Sequence, residues 1–221
     1  MLGAAVIFDM DGVLADTYQS HFASWRRLYG ELGIEYDEAG FAADFGRTSR
    51  DILRRTLGDD ITDEQIREID SRKEAYFRDI LRDSRAAMDG AVELIDALIA
   101  DHFLLAVGSS GPPENVALLL EKLGRAARFA AVVTGADVTR GKPDPQVFQL
   151  AAARLEVPAA SCVVVEDAVH GVEAARRAGM KSVALTGTTT ADQLADADVV
   201  VDSLRQITPT ALRELISGGT P

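Results

Sequence analysis

The sequence predicts an α/β fold: a doubly wound parallel sheet, with a separate α-helical unit inserted after the first strand. Three features of the 221 residues point to it. Short apolar runs recur at Ala4 to Phe8, Phe103 to Val107, Ala130 to Val133, Cys162 to Val165, Ser182 to Leu185 and Val199 to Val201. They are too continuous for a sheet with one wet face and read as strands buried on both faces. Helix-patterned stretches lie between or after them, and strand alternating with helix is the mark of layered α/β packing. The third feature is a break in that alternation from Thr17 to Met88, where helical patterns occur without a convincing strand.

In chain order, Ala4-Ala5-Val6-Ile7-Phe8 is β-rich and stops at Asp9-Met10-Asp11-Gly12, as a buried strand ending in a polar loop does. The inserted region, 17–88, contains Trp25, all four tyrosines (Tyr18, Tyr29, Tyr36, Tyr76) and many arginines. Helix-start signals stand at Thr48-Ser49 and Thr62-Asp63-Glu64, so this segment is expected to form a small helical bundle. The sheet unit is then 1–16 together with 89–221. Its helices are expected at Ala91 to Ala100, Glu114 to Leu123, Gln146 to Leu155 and Val169 to Ala178. A last helix runs to Ile216 from Thr208-Pro209, where proline suits the first turn. The closing Ser217-Gly218-Gly219-Thr220-Pro221 reads as a tail with little apolar surface to tie it down.

Composition removes several function classes. With 35 acidic and 23 basic side chains, the formal charge of −12 provides no basic field for phosphate backbones, so nucleic acid is not an expected partner. Cys162 is the one cysteine, cannot form an internal disulfide and reads as an inert core residue. No secretory leader pattern opens the sequence, and its apolar stretches fall far short of the roughly 20 residues that cross a bilayer. A cytoplasmic protein without a membrane partner is expected. Its oligomeric state stays open, a monomer included.

In an open parallel sheet, ligands gather beyond the carboxyl ends of the strands, near a topological switch point. The residues there form a coherent set. The first strand delivers Asp9 and Asp11, the one ending at Val107 delivers Ser109 and Ser110, and the one ending at Val165 delivers Glu166 and Asp167, while Lys142 lies in a loop before Gln146. Converging carboxylates repel one another unless a cation intervenes, and hard oxygen ligands suit Mg²⁺. A lysine and a serine hydroxyl add donors and positive charge for phosphoryl oxygens. The set reads as a phosphoryl-transfer site.

Phe8-Asp9-Met10-Asp11-Gly12-Val13, Ser109, Gly141-Lys142-Pro143 and Glu166-Asp167 together resemble the four ordered motifs of the haloacid dehalogenase superfamily. Each piece alone is weak, but four in order at the expected places relative to the apolar runs are specific. The resemblance spans essentially the whole chain. It implies a Rossmann-like core with a helical cap that opens and closes over the site. It also implies Asp9 as nucleophile, Asp11 as general acid and then base, and Ser109 and Lys142 as holders of the phosphoryl oxygens. Mg²⁺ would be ligated by the Asp9 side chain, the Asp11 main-chain carbonyl and Asp167, with Glu166 contacting it directly or through water.

The stretch Asp16-Thr17-Tyr18-Gln19-Ser20-His21-Phe22-Ala23-Ser24-Trp25 resembles the β-phosphoglucomutase and sugar-phosphate phosphatase group. After the second motif this chain reads Ser109-Ser110-Gly111-Pro112-Pro113-Glu114-Asn115, lacking the lysine with which the mutases grip a second phosphate. The expected activity is therefore hydrolysis of a small phosphate monoester, a sugar phosphate or a phosphoglycolate-like acid, with nucleoside monophosphates also open. A phosphosugar mutase is the alternative, and a non-catalytic metabolite-binding module stands behind it. Dehalogenation is disfavoured by Asp11 and Glu166-Asp167. The candidate substrate-binding residues are His21, Arg47, Arg50 and Ser110, of which the arginines read equally as solvated and His21 as an ordinary helix residue. Lys73 reads as a surface lysine.

Overall fold

The computed structural model describes residues 3–44, 47–84, 86–187 and 189–219. Strand β1 (Ala5–Phe8) is followed by helices α1 (Tyr18–Glu31), α2 (Glu38–Asp44), α3 (Ser49–Leu57), α4 (Asp63–Asp83) and α5 (Ala91–Ala100). Then come β2 (Leu104–Gly108), α6 (Pro113–Leu123), β3 (Ala131–Val133), α7 (Gln146–Leu155), β4 (Cys162–Glu166) and α8 (Val169–Arg177). The chain ends through β5 (Lys181–Leu185), β6 (Val199–Val201) and α9 (Pro209–Ile216). Each strand expected from an apolar run is present. No helix among the described residues is long and apolar enough to cross a membrane.

Two compact units result: Met1–Asp16 with Ala86–Pro221, and Thr17–Arg85. The return to the sheet unit comes three residues before the boundary read from sequence. The cause is backbone pairing: Ala15 bridges Ala87 antiparallel, Asp16 N–H donates to Ala86 O at 2.8 Å, and Met88 N–H donates to Leu14 O at 3.0 Å. The segment 86–88 satisfies its polar groups against the chain leaving the sheet, and so belongs there.

The six strands pair in parallel throughout, in the order β3-β2-β1-β4-β5-β6. From β1 the chain winds outward to β3, then crosses to β4 and winds the other way. The switch point is therefore between β1 and β4, and their register sets Phe8 opposite Val165. Both strands are buried throughout, which is why their sequences, AVIF and CVVVE, are nearly uniform. One sheet face, through Ala5, Ile7, Ala106, Val133, Cys162 and Val164, packs against Val147, Phe148 and Ala151 of α7 and Ala174 and Ala175 of α8. Cys162 is fully buried as expected, its thiol pushed up to about 11 by burial.

In the helical unit, α1 supplies Phe22, Trp25, Leu28 and Tyr29 to a cluster with Phe41 of α2, Ile52 and Leu53 of α3 and Ile66 of α4. The predicted helix starts are realised chemically. Thr48 Oγ1 accepts from Asp51 N–H at 3.2 Å, and Thr62 and Gln65 form a reciprocal capping box.

Candidate functional site

The polar residues that follow β1, β2 and β4 gather at the carboxyl edge of the sheet, and the loop before α7 brings a lysine to them. Asp9 continues β1, its N–H donating to Val165 O at 2.9 Å, so its side chain rises at the switch point beside Glu166. Lys142 Nζ donates to Asp9 Oδ1 at 2.7 Å and to Glu166 Oε1 at 2.5 Å, and stands 4.8 Å from the centre of the Phe148 ring. Glu166 Oε2 accepts from the Asp167 and Ala168 N–H groups, each at 2.8 Å. That saturates Oε2 and leaves one lone-pair direction on Oε1.

Carboxylate oxygens of Asp9, Glu166 and Asp167 lie within 4.8 Å of one another, and all three residues are buried. Burial, with the charges of Glu166 and Asp11 added to it, pushes the Asp9 carboxyl up to about 7 against the opposing pull of Lys142. Burial, with the charges of Glu166, Asp9 and Asp11 added to it, also holds Asp167 well above the usual carboxylate range. Burial would lower Lys142, but Asp9 and Glu166 outweigh it and hold the ammonium above the ordinary lysine range. The pocket is thus over-supplied with negative charge by its own geometry. Hard oxygen donors that disfavour one another's ionisation are the donor set a divalent cation such as Mg²⁺ fits.

Ser109 is 1% exposed, and its N–H donates to Val133 O at 3.0 Å, while its Oγ accepts from Gly111 N–H at 3.0 Å. A Cβ at Gly111 would lie 3.3 Å from Ser109 Oγ and 3.8 Å from Asp11 Oδ2, which puts both side chains around the same small space. Ser110 is exposed and turns its carbonyl toward Gly135. Neither serine caps α6, whose N-cap is Pro112 without a side-chain bond.

The sheet unit thus brings Asp9, Asp11, Ser109, Lys142, Glu166 and Asp167 together. His21, Arg47 and Arg50 belong to the helical unit. Arg50 Nη1 pairs with Asp63 Oδ1 at 2.6 Å and Arg47 Nε approaches Asp44 Oδ1 at 3.9 Å, all but Asp44 well exposed; Phe45 and Gly46 before them lie outside the described residues. His21 stacks on Phe77 with ring centres 4.1 Å apart. Lys73 departs from the sequence reading: it is 3% exposed, not a surface lysine. Its Nζ donates to Glu74 Oε1 at 2.8 Å, meets His21 Nδ1 at 2.9 Å and sits 5.4 Å from both the Trp25 and Phe77 rings. Burial of an ammonium is tolerated where a partner charge and aromatic faces replace water.

Sequence reasoning missed the glycines that make room for the carboxylates. Gly12, at φ +77°, faces Asp167 so closely that a Cβ would overlap its carboxylate, and Gly171 stands likewise against Glu166. A glycine in the first turn of a helix, where it weakens the helix, was the available signal for the second.

A haloacid dehalogenase-like hydrolase family model matches residues 6–185. The chain belongs to that family. It is 33% identical over 203 residues to validoxylamine A 7'-phosphate phosphatase of Streptomyces hygroscopicus subsp. limoneus, covering 91% of this chain and 94% of that protein. It is 34% identical over 185 residues to fructose-1-phosphate phosphatase YqaB of Escherichia coli, covering 81% and 95%. Among solved structures, β-phosphoglucomutase of Clostridium difficile superposes with a TM-score of 0.86 at 25% identity, covering 98% of each chain. This hydrolase family membership agrees with the resemblance carried by the four motifs.

Proposed function

We propose that this hydrolase is a phosphatase that removes the phosphoryl group of a small phosphate monoester, a sugar phosphate or a phosphoglycolate-like acid, in a Mg²⁺-dependent reaction. The observation that carries the reading is the bridge of Lys142 between Asp9 and Glu166 at the switch point, with Asp167, Ser109 and Asp11 around it. The named phosphatase relatives support the substrate class.

Asp9 is the nucleophile. Its carboxylate oxygen forms a bond to phosphorus as the bond to the leaving oxygen breaks, and Asp11 gives that oxygen its proton. The result is an aspartyl-phosphate and the free alcohol. Asp11, now ionised, takes a proton from the water that attacks phosphorus, and the departing group is the Asp9 carboxylate. Lys142 and Ser109 hold the non-bridging phosphoryl oxygens. Asp9, Asp167, the Asp11 main-chain carbonyl and the remaining lone pair of Glu166 would hold Mg²⁺, which when bound supplies positive charge against the carboxylates and the phosphoryl oxygens. Substrate choice is assigned to Ser110 and, in the helical unit, to His21, Arg47 and Arg50; an anionic substrate group would take the place of Asp63 on Arg50.

A mutase is the second reading, favoured by the likeness to β-phosphoglucomutase. The experiment that separates the two measures phosphate release from a panel of sugar phosphates and phosphoacids with Mg²⁺, including β-glucose 1-phosphate with and without a bisphosphate primer. Selective release of phosphate is expected. Primer-dependent formation of glucose 6-phosphate with little free phosphate would establish the mutase instead.

A further inference from the structure

The residues just before Lys142, 139–141, are exposed, yet the lysine's ammonium is held between two buried carboxylates. What holds such a loop in place is visible at its ends. The Gln146 side-chain oxygen at the start of α7 accepts three hydrogen bonds from the segment that precedes the lysine: Thr139 N–H at 3.0 Å, Thr139 Oγ1 at 3.2 Å and Arg140 N–H at 3.1 Å. Between these ends Asp144 N–H donates to Gly141 O at 3.0 Å, and Gln146 N–H donates to Asp144 Oδ1 at 3.1 Å. One carboxamide therefore ties residues 139 and 140 to 146 and closes the turn around Lys142. Further back, Asp137 takes Thr134 N–H and Oγ1 on one oxygen and Arg154 of α7 on the other. Helix α7 also supplies Phe148, against whose ring the lysine lies.

We infer that Gln146 is a positioning residue for Lys142, setting through the Thr139 and Arg140 main chain where the ammonium stands between Asp9 and Glu166. Its value to the reaction rests on the phosphoryl transfer proposed above. A neutral amide oxygen suits the task, because it gathers backbone donors without adding to the negative charge that Lys142 already faces. Displacing a catalytic group by about 1 Å is enough to cost on the order of 10²-fold in rate.

The test compares Gln146→Leu, which removes the acceptor, with Gln146→Glu, which restores an oxygen at the same reach. Reductive methylation followed by mass spectrometry reads the lysine directly, with Lys181 as internal control. Gln146→Leu is expected to raise Lys142 labelling at least about fivefold with Lys181 unchanged, and Gln146→Glu to reverse most of that rise. In phosphatase assays Gln146→Leu is expected to lower kcat by about 10-fold to 10²-fold with little change in KM, and to have no further effect in a Lys142→Met background. Unchanged labelling of Lys142, or an equal loss of kcat in both backgrounds, would overturn the inference. A wild-type protein without phosphatase turnover would defeat the proposed function while the labelling still decides the placement. Should Gln146→Leu fail to fold, Gln146→Asn, one methylene too short to span the loop, takes its place with the same expected readings.

Discussion

The Cβ that any other residue would carry at position 171 falls on the Oε1 atom of Glu166. That oxygen is the one that accepts from Lys142, so a missing side chain in α8 makes room for the contact on which the lysine rests. Replacing Gly171 by alanine gains helix propensity worth about 1 kcal/mol. It does so by evicting a carboxylate that also receives two backbone N–H groups. Gly171→Ala is therefore expected to remain folded and to lose at least about tenfold in kcat/KM, most of it in kcat, because a displaced Lys142 is worth at least that much. Steady-state kinetics beside a melting curve checks it, and near wild-type kcat would mean that Glu166 is free to move.

Asp9 and Asp11 are only two residues apart, but their substitutions should fail differently. Asp9→Asn removes the nucleophile, and turnover is expected to fall by at least about 10³-fold, with no phosphate trapped on the protein after acid quench. Asp11→Asn keeps the nucleophile and loses the proton carrier, so a loss of about 10² to 10⁴-fold is expected, and phosphoprotein should accumulate wherever its breakdown slows more than its formation. Quenched labelling with radioactive substrate tells the two patterns apart. Substantial turnover by purified Asp9→Asn would rule out the covalent route.

How much of this was legible depends on whether a residue's role is local. Strands such as Val6-Ile7-Phe8 and Val163-Val164-Val165 can be read because burial on both faces makes every position apolar, and Asp9, Ser109 and Glu166 can be read because they follow such runs. Thr62-Asp63-Glu64 announces its helix for the same reason, since the cap is formed within four residues. Lys73 was misread because its partner His21 is 52 positions away, and nothing in its own neighbourhood says that Trp25 and Phe77 enclose it. Gln146 looks like any polar residue at a helix start. Only the folded turn shows that its oxygen collects three donors. The boundary at 85 rather than 88 likewise follows from pairing between Ala15 and Ala87, a long-range event that no periodicity records.

The crowding of carboxylates has a pH signature whose sign follows from Asp9. Its carboxyl sits at about 7 in the folded protein against an ordinary value of 3.8, so the folded state binds more protons than the unfolded state between those values. The associated stability is fully present below about 4 and is lost as pH rises through about 7. Asp167, also raised, acts in the same direction. In chelator, the melting temperature is accordingly expected to carry a falling contribution from pH 5 to pH 8, reduced in Asp9→Asn to the part that Asp167 supplies. Mg²⁺ requires the ionised carboxylate, so the stabilisation it confers should grow over the same interval, with proton release on binding below pH 7. Melting curves with and without Mg²⁺, and calorimetry in buffers of different ionisation enthalpy, measure both. A metal increment that does not vary with pH would contradict the assignment of Asp9 to the metal site.

Lys73 tests the helical unit on its own terms. Removing one member of a buried ion pair usually costs about 3–5 kcal/mol, because the other charge loses its opposite inside the protein. Glu74 is buried and receives the Lys73 ammonium at 2.8 Å, and the lysine stem fills space between Trp25 and Phe77. Lys73→Met keeps much of the stem's volume and removes the charge, so its loss, about 3 kcal/mol, isolates the electrostatic part. Lys73→Met/Glu74→Gln removes both charges and is expected to recover most of that loss, since neither member is then buried without the other. Urea unfolding of the full chain, followed by Trp25 fluorescence, reports on this unit because Trp25 is the chain's one tryptophan. Equal destabilisation in the single and double variants would show that Lys73 contributes through packing of its methylenes and not through its charge.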